Sequence, residues 1–294
     1  MPKPLAVVAL GAFVVVDAVL VGLVLRHVDR EPPASDITTV AATPTPAPSA
    51  ASAQRAFDFD ARSAAAADLA NDGTFVLATR GACGDDSARV WTAADPGADL
   101  VRRDPGLSTV LAVDAGTGGA ITVVGTGEDC VPRQVGSTDG GATWTDDPAV
   151  TLWHPSPRDP RRVVSPDVGA SDPGCLVTSL SQVGGDFARV TCVDGLVRGT
   201  GDGGREWVEL GRLDNVRTAA FTTVNTGYAL ARFEGCAAQV FTTGDSGRSW
   251  EAGACLVGDP ARAVAASDTA LVGVVGDDPQ VYVSADGGTE FGRS

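Results

Sequence analysis

The sequence is poor in the side chains that bind metals and nucleic acids. It has two histidines, and its 22 lysines and arginines are outnumbered by 37 aspartates and glutamates, so the net charge is −15. Nucleic-acid binding needs clustered positive charge, so we expect no nucleic-acid partner. None of the six cysteines belongs to a Cys-x-x-Cys pair, which argues against a zinc site. The sequence therefore predicts no resident cofactor.

A long apolar run occurs only once, at the N terminus. After a short tail (residues 1–4), residues 5–25 are apolar apart from Asp17 and are long enough to span a bilayer as one helix. Residues 25–28 offer no small-residue cleavage site, which favours an uncleaved, single-pass anchor over a signal peptide. Asp17 is costly in lipid, and either a contact with a partner helix or simple tolerance of the charge explains it.

The next segment has almost no large apolar side chains. Residues 26–55 are rich in Pro, Ala, Ser and Thr, which predicts a semi-extended linker between the membrane and residues 56–294. The charges of residues 1–55 balance, so the net negative charge belongs to the domain that follows.

That domain carries a repeated octad, in which a Ser or Thr is followed by Asp, Gly and a closing Trp or Phe. The copies are Ser137–Trp144, Thr200–Trp207, Thr243–Trp250 and Ser284–Phe291, with a fainter one at Ala93–Leu100. Short runs rich in β-branched and aromatic residues precede the octads, and Asp and Gly favour turns, so each octad predicts a β-hairpin turn. The candidate structural residues of these turns are Asp95, Asp139, Trp144, Asp202, Trp207, Asp245, Trp250, Asp286 and Phe291.

The octad resembles the Asp-box, or BNR repeat, of sialidase-like β-propellers. The resemblance implies an all-β propeller in which each octad is a structural turn between the third and fourth strands of a blade, away from the ligand site. It covers residues 56–294 through short motifs that are specific for the fold and not for an activity.

The spacing of the octads predicts the number of blades. Their aspartates are 44, 63, 43 and 41 residues apart, and an interval in the low forties suits one four-stranded blade. We therefore expect five blades, with an insertion from Thr151 to Pro173. A sixth, degenerate blade is the alternative, but only 30 residues separate Asp172 from Asp202, too few for four strands of ordinary length. Residues 55–60 are expected to close the ring beside the short last strand.

The six cysteines predict disulfide bonds and an oxidising compartment. Six cysteines allow fifteen pairings. Cys175 and Cys192 flank a hairpin turn symmetrically, so they are the first choice for a disulfide bond. The other two bonds would then join Cys236 to Cys255 and Cys83 to Cys130. We therefore expect the domain to lie outside the cytoplasm, tethered to the cell membrane.

Acidic side chains collect in the predicted loops opposite the octads. Either they form a face that attracts a cationic partner or calcium, or they reflect the use of Asp in turns of an acidic protein. Trp153, in the insertion, is either buried or able to stack on a ligand. The candidate binding-face residues are Asp85, Asp86, Glu128, Asp129, Asp194, Glu234, Asp277, Asp278 and Trp153.

No catalytic residue can be assigned. Sialidases use an arginine triad, a Tyr–Glu nucleophile and an Arg-Ile-Pro motif, whereas this chain lacks that motif and has only Tyr228 and Tyr282, both within predicted strands. The repeats are also similar to those of non-catalytic propellers, including photosystem II assembly-factor-like and sortilin-type ones. We therefore expect a membrane-anchored module that binds a protein or glycan. The alternative is a divergent sialidase-like glycoside hydrolase that uses carboxylates of the acidic face.

Overall fold

The computed structural model describes residues 65–81, 83–84, 88–233 and 235–294. The predicted anchor (residues 5–25), the linker, the closing segment (residues 55–60) and the candidate residues Asp85, Asp86 and Glu234 lie outside these ranges. Within them, no helix has the length and apolar character needed to cross a membrane.

The described residues fold into six antiparallel sheets, the blades, arranged as a β-propeller. Blade 1 contains β1 (Ala65–Leu69), β2 (Phe75–Thr79), β3 (Arg89–Ala93) and β4 (Val101–Arg103); blade 2 contains β5 (Thr109–Ala115), β6 (Ile121–Thr126), β7 (Pro132–Ser137) and β8 (Thr145–Asp147). Blade 3 contains β9 (His154–Pro155), β10 (Val163–Ser165) and β11 (Gly169–Ser171). Blade 4 contains β12 (Val177–Gln182), β13 (Ala188–Cys192), β14 (Leu196–Thr200) and β15 (Val208–Arg212). Blade 5 contains β16 (Val216–Phe221), β17 (Gly227–Phe233), β18 (Cys236–Thr243) and β19 (Glu251–Leu256), and blade 6 contains β20 (Ala261–Ala266), β21 (Leu271–Val275), β22 (Gln280–Ser284) and β23 (Gly292–Arg293).

The strands of each blade pair in chain order, and the first strands of the four-stranded blades line a central channel. The ring closes where β1 contacts β20. The hydrophobic core lies between blades, as where Phe75 and Leu77 of blade 1 pack with Ala263 and Val272 of blade 6. Burying the apolar face of each sheet against its neighbour is what holds such a ring together.

The prediction of five blades is wrong, because the expected insertion forms blade 3. This blade needs only three strands of two or three residues each, all between His154 and Ser171. The prediction allowed only blades with four strands of ordinary length and counted one octad for each blade. Blade 3 has neither four strands nor an octad turn between its last two strands.

Blade 3 lacks the innermost strand of the other blades. The turn between β10 and β11 lies beside the octad turn of blade 4, where Ser165 Oγ donates to Gly203 O at 2.7 Å. The loop between β9 and β10 lies at the other end, since Val177 N at the start of β12 donates to Pro160 O. The strands β9, β10 and β11 therefore run in the directions of second, third and fourth strands.

The turns divide into two faces. The octad turns share the face that we call the turn face with the turns joining first to second strands, as shown by Ser246 N donating to Asn225 O at 2.9 Å. The second-to-third turns share the opposite face, the connection face, with the links between blades, as shown by Leu213 N donating to Gly195 O at 2.8 Å.

The octad turns are held by their Asp and hydroxyl side chains. Asp139 Oδ1 accepts from Thr143 N at 2.9 Å and from Ser137 Oγ at 2.8 Å, and Ser137 Oγ accepts from Gly141 N at 2.8 Å. Gly141 has a φ of 81°, which a residue with a Cβ adopts only with strain. The hydroxyl-to-Asp and Gly-to-hydroxyl bonds recur in the turns of Asp202, Asp245 and Asp286.

Three disulfide bonds form, with the pairing that the sequence favoured. They join Cys83 to Cys130, Cys175 to Cys192 and Cys236 to Cys255. The first links blades 1 and 2 on the connection face, and the other two each lie within one blade.

Candidate functional site

The central channel contains a cavity of about 160 Å³, which is lined by the first strands of all five four-stranded blades and reaches blade 3, where the innermost strand is missing. Residues 110–114 of β5 line one side of it and residues 177–182 of β12 line the other. Leu152, Trp153 and Pro155 form the wall where an innermost strand of blade 3 would lie. We call the part of the cavity that these residues border the vacancy. On the turn face the channel opens beside Asn71, Thr117 and Asp268.

At two other junctions between blades, 1 with 2 and 4 with 5, side chains of one innermost strand cap backbone N–H groups of the next. Asp68 Oδ2 in blade 1 accepts from Ala115 N in blade 2 at 2.7 Å. Ser181 Oγ in blade 4 accepts from Phe221 N in blade 5 at 2.9 Å. These N–H groups have no strand to pair with on the channel side, and leaving them unsatisfied would cost stability.

Asp114 occupies the position of such a cap, but the strand that it would cap is absent. Asp68, Asp114 and Ser181 each precede the last residue of their innermost strand. By this equivalence the Asp114 carboxylate is directed towards blade 3, into the vacancy. Within the described ranges it has neither a hydrogen bond nor an ion pair.

The pKa values of the two carboxyl groups in the channel, Asp68 and Asp114, are both raised. Burial raises the pKa of Asp68 to about 6, the hydrogen bond from Ala115 N opposes this shift, and the nearby charge of Asp114 adds to it. Burial likewise raises the pKa of Asp114. Asp68 is half-buried and Asp114 is exposed to solvent, so incomplete solvation of the negative charge is greater at Asp68.

The positive charge of the channel lies towards its other end. Arg80 follows β2 on the connection face, and its Nη2 donates to Ser156 O at 3.4 Å. Burial lowers the pKa of Arg80, and burial also lowers that of His154, which is 2% exposed. His154 Nδ1 lies 3.0 Å from Pro155 O, so this imidazole is a structural part of blade 3.

The acidic residues of the connection face lie apart from the channel cavity. Glu128, Asp129, Asp194, Asp277 and Asp278 are exposed in second-to-third turns of blades 2, 4 and 6. Three of them bond to nearby residues of the protein. Asp129 Oδ1 accepts a hydrogen bond from Val131 N, Asp194 Oδ1 accepts one from Leu196 N, and Asp277 forms an ion pair with Arg262.

Trp153 does not belong to that face. It is 2% exposed, its indole Nε1 donates to Gly185 O in the first turn of blade 4, and its ring stacks edge-on against Trp207 at 6.1 Å. Of the candidate binding-face residues within the described ranges, it alone lines the vacancy.

The aspartates of the octads lie on exposed hairpins and not in the channel. Hydrogen bonds from Thr143 lower the pKa of Asp139 to about 2, and those from Ser249 do the same for Asp245. These carboxylates are ionised acceptors that hold their own turns, a structural task.

Sequence reasoning missed Asp68 and Asp114. A signal was present, since each is the one charged residue in its innermost strand, Ala65–Leu69 and Thr109–Ala115. Their importance depends on the neighbouring strand, however, and the absence of that strand in blade 3 becomes visible only in the folded ring.

No protein-family model and no curated protein sequence matches this chain. Among solved structures, it is similar to the Aleuria aurantia lectin bound to Fucα1-6GlcNAc, with 11% identity, a TM-score of 0.50, and coverage of 79% of this chain and 94% of the lectin. It is similar to the lectin SapL1 bound to α-methyl fucoside, with 13% identity, a TM-score of 0.50, and coverage of 79% and 96%. It also matches YCF48 bound to D1 peptide, with 16% identity and a TM-score of 0.31, covering 79% of this chain and just under two thirds, 66%, of that one. At these identities the likeness to the two lectins shows a shared β-propeller fold.

Proposed function

We propose that this chain is a non-catalytic binding or assembly module of the Asp-box type, anchored in the membrane with its propeller outside the cytoplasm, which binds a protein or glycan in the central channel. The observation that carries the proposal is the vacancy, a lined cavity at the point where one blade lacks its innermost strand. Pre-formed concave sites with a few convergent polar groups are where proteins commonly bind small ligands.

The octad turns support the Asp-box assignment. Four turns share the same hydroxyl–Asp–Gly hydrogen bonds and lie between the third and fourth strands of their blades. Each closes on a Trp or Phe that packs against the interior.

The disulfide bonds support the location. All six cysteines are paired, which suits an oxidising compartment, and the apolar residues 5–25 with the Pro-rich linker would tether the propeller there. The two lectins among the similar structures are consistent with a glycan ligand.

Site-specific photo-crosslinking of the full-length chain in its native membranes tests the proposal. A photoreactive residue at Thr117, beside the channel opening, should form discrete adducts with one partner. The same residue at Val208, which is 55% exposed on the outermost strand of blade 4, is the control and should give weak, unspecific adducts. Discrete adducts from Val208 and none from Thr117 would place binding outside the channel and overturn the proposal.

A glycoside hydrolase is the second candidate, and the Asp68–Asp114 pair is the observation that favours it. A carboxyl with a pKa of about 6 near a second carboxylate is the kind of pair that divides acid and base roles in glycosidases. Screening the full-length protein against chromogenic glycosides, sialosides included, would support this function if turnover occurred and Asp68→Asn and Asp114→Asn each abolished it. Turnover that survives both changes would rule out this pair.

A further inference from the structure

We propose that the vacancy binds an ammonium or guanidinium group carried on an apolar chain, held by the carboxylate of Asp114. This inference rests on the proposed function, since it names the chemistry that the channel of such a module would recognise. It combines the missing strand, the equivalence of Asp114 to the caps of other blades, and the uneven distribution of charge along the channel.

The first step is that the vacancy is not suited to a peptide strand. A strand added to blade 3 would have to pair with β9, which contains only His154 and Pro155. Proline has no backbone N–H to donate, and proline on an edge strand blocks further pairing. A compact group fits this edge better than an extended backbone does.

The second step is that the exposed carboxylate of Asp114 is available to a ligand. The caps at Asp68 and Ser181 have backbone N–H partners, at 2.7 and 2.9 Å, whereas Asp114 has no partner within the described part of the chain. Ala112 lies two residues before Asp114 in β5 and therefore faces the same side. Its counterpart in blade 4, Ser179, also caps the next blade, through Ala219 N at 3.1 Å.

The third step concerns how charged side chains are distributed along the channel. Asp68 and Asp114 lie near the turn face, and the arginine of the channel, Arg80, is engaged with Ser156 towards the connection face. A cation entering from the turn face would meet the exposed carboxylate of Asp114 and, beside it, the half-buried carboxylate of Asp68, where charge attraction is screened less than in bulk water.

The fourth step separates an organic cation from a metal ion. Calcium takes six to eight oxygen ligands. No group of three or more His, Cys, Asp or Glu side chains within the described ranges is placed to hold a metal. Leu152, Trp153 and Pro155 instead offer an apolar wall, which suits the carbon chain of an alkylamine or of a lysine or arginine side chain.

Calorimetric titration of the full-length protein in neutral detergent at pH 7.5 tests the inference. The probes are n-butylammonium and n-butylguanidinium, with n-butanol as the neutral analogue. We expect dissociation constants on the order of 1 mM for the cations, as suits ligands of this size, and no heat from n-butanol. Asp114→Asn should weaken cation binding by about tenfold or more, because it removes a charge-assisted hydrogen bond. Asp104→Asn makes the same change on an exposed residue of the connection face and should leave the affinity unchanged.

A second arm distinguishes the two sources of such a group. The doubly capped peptide Gly-Gly-Lys-Gly-Gly should bind at least as tightly as n-butylammonium if the vacancy receives a side chain of a bound protein, and should not bind if it receives a free amine. Absence of heat with both cations, equal binding of n-butanol, or full binding by Asp114→Asn would each overturn the inference. Cation binding without Thr117 adducts would instead contradict the proposed function, and Thr117 adducts without cation binding would contradict only this inference.

Discussion

Asn71 and Asp268, 197 positions apart, join the two ends of the ring by a reciprocal pair of hydrogen bonds. Asn71 Nδ2 donates to Asp268 Oδ2 at 3.1 Å, and Asp268 N donates to Asn71 Oδ1 at 3.0 Å. The two residues lie in the first turns of blades 1 and 6, on the turn face. Together with the shared core of these blades, they close the propeller.

Asn71→Ala should loosen that closure. Two exposed hydrogen bonds are lost, so we expect the free energy of unfolding to fall by about 1 kcal/mol. Hydrogen exchange should quicken in blades 1 and 6 only. The matched control is Asn225→Ala, which removes a bond within blade 5, from Ser246 Oγ at 2.9 Å, and should quicken exchange there. Uniform faster exchange in both variants would show that Asn71 has no special part in closure.

Asp68 should make the protein less stable as the pH rises from 4 to 7. Its folded pKa, about 6, lies above the ordinary 3.8, so the stability it contributes is complete below pH 4 and is lost as the pH rises through 6. The shift corresponds to about 3 kcal/mol at most. Asp68→Asn keeps an acceptor for Ala115 N and should flatten this dependence in urea unfolding at pH 4 and pH 7.5. The exposed control Asp99→Asn should follow the wild type, and parallel curves for all three proteins would refute the role of Asp68.

The octad aspartates should stabilise the protein at neutral pH and lose this effect in acid. The pKa of Asp245 is about 2, below the ordinary value, so the stability it contributes is present above pH 4 and is lost as the pH falls towards 2. Asp245→Ala should lower the melting temperature at pH 7 by a few degrees, since the turn loses the bonds to Ser249 N and Oγ, at 2.9 and 2.6 Å. Asp95→Ala is the comparison: among the residues that the structure describes, its carboxylate accepts only from Gly97 N, so a smaller drop is expected. An equal drop in both would mean that the side-chain bonds are not what holds the octads.

The disulfide of blade 5 should contribute more than any single hydrogen bond. Cys236 and Cys255 are separated by 19 positions, and closing a loop of that size is worth about 3 kcal/mol by restricting the unfolded chain. The double change Cys236→Ala, Cys255→Ala should therefore lower the free energy of unfolding by that amount. Peptide mapping without reduction checks the pairing, and a crossed pairing such as Cys192 with Cys236 would contradict the fold of blades 4 and 5.

The sequence was sufficient to predict the hairpins, because their information is local. Ser137, Asp139, Gly141 and Trp144 each have a task within the same turn, and the strand before each octad ends where the pattern predicted. The blade around Asp245 follows the expected plan, with strands at Val216–Phe221, Gly227–Phe233, Cys236–Thr243 and Glu251–Leu256.

The sequence was not sufficient for blade 3 or for the vacancy. The strands of blade 3 are too short for a periodic pattern, and its position is fixed by contacts distant in sequence, such as Ser165 Oγ with Gly203 O and Trp153 N with Gln182 Oε1 at 3.0 Å. Asp114 is a candidate binding residue because the neighbouring blade lacks its innermost strand. The sequence around Asp114 contains no sign of that absence. The acidic turns stay a prediction as a binding face, while the bonds of Asp129 and Asp194 within their own turns are what the use of Asp in turns predicts.

Filling the vacancy is the most direct test of the central claim, that the ligand binds where blade 3 lacks its innermost strand. Ala112→Phe would add a ring to the cavity side of β5. If the space is vacant, the melting temperature should stay within about 2 °C of the wild type, because no close packing is disturbed. In the same protein, the photo-crosslinked partner adduct at Thr117 should be lost, while Val208→Phe should retain it. An undiminished adduct at Thr117 in folded Ala112→Phe would contradict the account.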